Sequence, residues 1–117
     1  HVSSEDEKKV LQDINDRYQF DKPTKKFVDE LFKSTIKNAD SLDKKIESSL
    51  ENWTLERINI IDRLIMQMSI CEMSLMQHYE ISHKVTISSA IENAKKFSSE
   101  DSTAFVNGVL DSVYKKL

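Results

Sequence analysis

One glycine and one proline in 117 residues leave this chain almost nothing with which to turn β-hairpins. Strand-rich folds use those residues at their reversals, whereas helix ends are managed by Ser, Thr, Asp and Asn, which this chain has in quantity. An all-α fold follows. The single glycine is itself informative, because Gly108 falls inside Phe105-Val106-Asn107-Gly108-Val109-Leu110-Asp111, a segment with helical apolar spacing. Glycine in a helix interior costs roughly 1 kcal/mol relative to alanine. Its presence predicts a second backbone packed closely against it.

About six helices can be read along the chain. Ser4 and Glu7 form a capping box, and Val10, Leu11, Ile14 and Tyr18 recur at helical spacing, predicting a first helix from about Glu5 to Tyr18. A second starts at Pro23 and carries Phe27, Val28, Leu31, Phe32 and Ile36 on one face. Ser41 reads as the cap of a third, with Leu42, Ile46 and Leu50 in one stripe and an end near Asn52. Thr54 reads as the cap of the longest helix, which runs to Leu75 and is apolar around most of its circumference, as a central helix must be. The pattern breaks from Tyr79 to Lys84. A fifth helix then turns Ile87, Ala90, Ile91, Ala94 and Phe97 inward, and a sixth, capped within Ser98 to Asp101, turns Phe105, Val106, Val109, Leu110 and Val113 inward. Trp53 is placed to anchor the third helix to the fourth.

The length fits one domain, residues 1–117. No apolar run approaches the roughly 20 residues that span a bilayer, and no signal-peptide pattern opens the chain, so no membrane association and a cytoplasmic location are expected. A formal net charge of −3 argues against gripping nucleic acid through bulk positive charge alone. Cys71, the only cysteine, lies among apolar residues and reads as a buried thiol. His78 and His83 flank the break after the long helix, but without a Cys-x-x-Cys or His-x-x-x-His pair they do not form a metal site, and no cofactor is expected. No phosphate loop, nucleophile elbow or paired-carboxylate constellation is present, so catalysis is not expected.

The strings Asn52-Trp53-Thr54-Leu55-Glu56-Arg57, Asp62-Arg63-Leu64-Ile65, Ala90-Ile91-Glu92-Asn93-Ala94-Lys95-Lys96-Phe97 and Phe105-Val106-Asn107-Gly108-Val109-Leu110-Asp111, with Glu72 between them and Glu100-Asp101-Ser102 before the last, resemble the NusB family in content and spacing. The resemblance covers about Phe27 to Val113. It implies an all-helical transcription antitermination factor that pairs with the ribosomal protein NusE, binds boxA RNA of ribosomal operons and joins the antitermination complex on RNA polymerase. Carried over position by position, it implies RNA contact at Asp101, Phe105 and Asn107, with Phe105 able to stack on an unpaired base. Each has a second reading: Phe105 as core, Asp101 as the cap of the sixth helix, Asn107 as a partner for nearby backbone. Lys84, Lys95 and Lys96 are read as a basic edge around the connection between the fourth and fifth helices, or as solvated surface. The resemblance places the protein partner on the long helix near Asp62, Met66 and Gln67, with Met76 as a further apolar contact.

Departures from the family pattern are specific. The arginine-rich first helix is missing, so the domain is read as N-terminally truncated, with an apolar groove beside the second helix that favours a homodimer. Gln67 stands where arginine is common, Ser82 for proline, Ser88-Ser89 for Asn-Glu, Asn93 for an aliphatic residue and Ala104 for a basic one. The same fold forms the N-terminal domain of some ribosomal RNA cytosine methyltransferases, where it positions RNA substrate. Those carry Ala and Arg where this chain has Gly108 and Asp111, which favours the standalone factor. A third reading is a protein-interaction scaffold that has lost RNA binding.

Overall fold

The computed structural model describes residues 21–117 together with Glu5, Lys8, Lys9, Gln12 and Asp13. Most of the first predicted helix, with its Ser4–Glu7 box, therefore lies outside the described residues. The five that are described there are helical. From residue 21 onward the chain forms five α-helices, α1 (Lys22–Lys37), α2 (Ala39–Glu47), α3 (Ile60–Leu75), α4 (His83–Phe97) and α5 (Glu100–Lys116).

Local chemistry sets the helix ends. Asp21 accepts the Thr24 amide at 2.8 Å to open α1, with Pro23 in the first turn, and hydrogen bonds from Thr24's side chain and backbone hold the Asp21 carboxyl below its ordinary value. Asn38 ends α1, donating from its side-chain amide to the Ser34 carbonyl at 2.8 Å, and begins α2 without a break. Ser41 is thus an exposed residue inside α2 and not its cap. The helix stops at Glu47, short of the expected Asn52, which is held at a left-handed φ of 56° that no α-helix continues through.

Thr54 does not cap the long helix. It makes no side-chain cap bond and leads into a single 3₁₀ turn, Leu55–Arg57, after which Ile58 is extended. Asn59 is the cap: its Oδ1 accepts the Asp62 amide at 2.9 Å, while its Nδ2 donates to the Asp62 carboxylate at 2.9 Å. That reciprocal pair satisfies two groups at once, and Leu55 and Ile58, each 8% exposed, fold into the core ahead of the helix. Trp53 is left 43% exposed beneath the Arg57 guanidinium, 4.0 Å from its ring, so it does not anchor one helix to another.

The reading of a central helix holds. α3 packs against each of the other four, and Met66, Ile70 and Cys71 on it are fully buried. Cys71 is a free thiol. α2 is pinned to α3 by a buried polar cluster: Asp43 accepts from Arg63 Nε at 3.2 Å and Nη2 at 2.7 Å, and from Gln67 Nε2 at 2.7 Å. Beyond α3, a 3₁₀ turn at Gln77–Tyr79 and a left-handed Glu80 reverse the chain. Ser82 caps α4 by accepting the Val85 amide at 3.3 Å, so the residue that replaces proline supplies an alternative start. α4 and α5 run antiparallel, with the His83 ring stacked 3.7 Å from Tyr114 at one end and Ser98 meeting Ser102 at 3.1 Å at the other.

Candidate nucleic-acid interface

The α4–α5 turn is where the expected site residues gather. Ser99, not Asp101, caps α5: its hydroxyl accepts the Ser102 amide at 3.2 Å. Asp101 lies with Glu100 in the exposed first turn, where acidic side chains oppose the positive helix end without being the cap. One turn on, Phe105 is half-buried and rests against the core, so its two readings meet in one residue. At about 100° per residue Asp101, Phe105 and Gly108 share one face of α5, whereas the exposed Asn107 sits about 120° round from Asp101.

A polar network fixes this turn to α3. Ser102 Oγ donates to Asp62 Oδ2 at 2.7 Å, Asn59 Nδ2 reaches Ser98 Oγ at 3.2 Å, and Ser99 Oγ lies 3.0 Å from Ser102 Oγ. The start of α5 is therefore set by contacts with a helix 40 residues earlier as well as by its own cap. Asn59, Ser98, Ser99 and Ser102 escaped the sequence reading as a group. Three were legible as cap candidates, but nothing local says that they converge on Asp62.

Lys95 and Lys96 are exposed beside the turn, Lys95 with its Nζ 3.9 Å from Glu100 and Lys96 5.3 Å from the Phe97 ring. Phe97, expected to face inward, is 56% exposed. Lys84 belongs elsewhere. It lies at the opposite end of α4, about 16 Å along the axis from Lys95, so the three lysines do not form one edge.

The proposed partner residues are corrected outright. Asp62, Met66 and Gln67 are 4%, 0% and 2% exposed, and Met76 is 2% exposed, so no partner meets them while the fold is closed. Asp62 and Gln67 are polar groups of the interior, held by Ser102 and Asp43. Gly108 is corrected as well: among the described residues no heavy atom comes within 4 Å of an added Cβ, and the residue is exposed. No close backbone neighbour explains it. Beside α1, the described walls of a groove of about 720 Å³ are mostly charged, with five lysines and two acids, where an apolar groove was expected. Among the described residues no helix is long and apolar enough to cross a membrane.

Comparison with known proteins agrees with the fold and with the motifs. A family model described as the NusB family matches residues 1–115. A transcription antitermination protein NusB of Bacillus mycoides is 43% identical over 90 residues, covering 77% of this chain and 68% of the relative, and one of Bacillus cereus is 42% identical over the same length. The solved structure of T. maritima NusB superposes with a TM-score of 0.77 at 33% identity, covering 83% of this chain and 67% of that one.

Proposed function

The chain belongs to the NusB family, and we propose from this that it is a transcription antitermination factor, acting as a non-catalytic adaptor that pairs with NusE and binds boxA-type RNA. The observation that carries the RNA reading is the α4–α5 turn. Asp101 is fully presented, Phe105 keeps one part of its ring outside the core, and Lys95, Lys96 and Phe97 surround them on a turn fixed by the Asp62–Ser102 bond. Phe105 and Phe97 offer ring faces on which unpaired bases stack, the lysines supply phosphate attraction, and the Asp101 carboxylate accepts hydrogen bonds from base or sugar donors while repelling misplaced phosphate. Asn107, on a different side of α5, would meet RNA only where the strand bends round the helix. Lys84 drops out of this group.

Titrating labelled boxA-type RNA with the protein, alone and with NusE, tests the reading. Binding in at least one of the two is expected, and none in either overturns it. Stacking is worth about 1–3 kcal/mol per base, so Phe105→Ala should weaken binding about 5- to 150-fold while the fold persists.

A further inference from the structure

We propose that the groove along α1 is a second, phosphate-binding track for single-stranded RNA, an inference that rests on the RNA reading above. Its described walls are Lys22, Lys25, Lys26, Lys33 and Lys37 with Asp29, Glu30, Ser34 and Asn38. On α1, Lys22, Lys26, Lys33 and Lys37 fall within about 60° of one another and run about 22 Å along the axis, so they form a stripe and not a scatter. The two acids on the wall do not neutralise them. Glu30 is taken up by His78 Nε2 at 2.6 Å and the Tyr79 hydroxyl at 3.2 Å, and Asp29 is likewise engaged. Among the described residues none of the five lysines forms an ion pair.

Helix stability does not account for this placement. Lys22, Lys25 and Lys26 crowd the first turns of α1, which carries no acidic residue there, so three cations face the positive end of the helix dipole. Only Lys37 sits where the dipole favours it. In a chain whose net charge is −3, this is a local reversal of sign that an anion would relieve, with the dipole and the lysines acting together. A long groove of this kind fits a continuous phosphate backbone better than a single small anion. It lies on the opposite side of α3's length from the α4–α5 turn: Glu30 meets the turn after the C-terminal end of α3, while Ser102 meets its N-terminal end. The groove therefore engages RNA flanking the element held at the turn.

The test compares two labelled probes, a boxA-type RNA alone and the same RNA extended by about ten uridines on each side, against the intact protein with NusE, Lys26→Gln/Lys33→Gln, and a control, Lys44→Gln/Lys115→Gln. All four lysines are exposed, so unchanged thermal unfolding is expected in both variants. For the extended probe, the groove variant should lower the slope of log affinity against log salt by about 1.4, two contacts at about 0.7 each, so its loss of affinity between about 50 and 200 mM salt is about sevenfold smaller. The short probe and the control should show no such change. If the unaltered protein binds the short probe but the groove variant keeps the full slope on the extended one, the track is overturned and the site at the turn stands. If the groove variant loses NusE and keeps its RNA slope, the lysines serve an acidic protein surface and the track is again overturned. No RNA binding by the unaltered protein overturns both readings.

Discussion

Gly108→Ala separates two reasons a helix can keep a glycine. If the chain's own packing required it, a methyl group would clash and the variant would lose stability. The structure says otherwise: Gly108 is exposed, has no positive φ, and has no heavy atom of the described residues within 4 Å of the added Cβ. The variant should then gain the ordinary helix preference of alanine, about 0.8–1.0 kcal/mol. An unfolding entropy of about 2.1 cal/mol/K per residue over 117 residues converts this to a rise in Tm of about 4 °C. Urea unfolding monitored by circular dichroism, with calorimetry for Tm, measures it. Any clear loss of stability refutes the reasoning, because it would mean that the methyl has no room. The RNA titration supplies the second half. Gly108 shares a face with Asp101 and Phe105, so a bare backbone there lets a strand approach closely, and the stabilised variant should bind RNA more weakly. A variant that is more stable and binds unchanged would remove Gly108 from the interface.

Other perturbations probe the support beneath the site. Ser102→Ala removes the donor to a buried, charged acceptor and should cost about 1.5–3 kcal/mol in urea unfolding, with weaker RNA binding as the turn loosens; a cost below about 0.5 kcal/mol would show that the Asp62 bond does not hold it. Asp43→Ala strands the Arg63 guanidinium in the interior and should cost about 3–5 kcal/mol, a fall in Tm of about 12–20 °C, and adding Arg63→Met should restore most of it; a double variant no better than the single would contradict the pairing. Burial raises the Glu72 carboxyl above its ordinary 4.5, so the folded state keeps a proton that the unfolded chain releases. The resulting penalty is absent below about pH 4.5 and complete once pH has risen past the folded value, so Glu72→Gln should stabilise at neutral pH and do nothing below about pH 4.5; equal gains at both would exclude this titration as the cause.

Helices were legible because apolar spacing is a local signal. Leu31 and Phe32, Leu42 and Ile46, Val106, Val109 and Leu110 all lie in the core where their spacing puts them. Boundaries were less legible because competing caps look alike from nearby sequence. Thr54 and Asn59 both precede apolar runs, and Asn59 prevails because its amide also reaches Asp62 and, from another part of the chain, Ser98. Polar residues of the interior were the hardest to read. Asp62 and Gln67 carry the marks of surface residues, and only Ser102 and Asp43, brought from 40 and 24 residues away, make their burial tolerable.

The correction at Asp62 changes where the family's motif does its work. Asp62 and Asp101 both belong to conserved-looking acidic strings in this chain, yet one is 4% exposed and the other faces solvent. The buried carboxylate receives Ser102 and so sets the angle at which α5 leaves the turn. The exposed one, a residue before Ser102, inherits that angle. A ring and a carboxylate can select a base only if their separation is held, because looseness of about 1 Å is enough to lose a positioned contact. Selectivity at the turn therefore depends on a hydrogen bond no ligand touches, and the surface residues alone, grafted onto an unsupported helix, would keep attraction for phosphate while losing discrimination between bases.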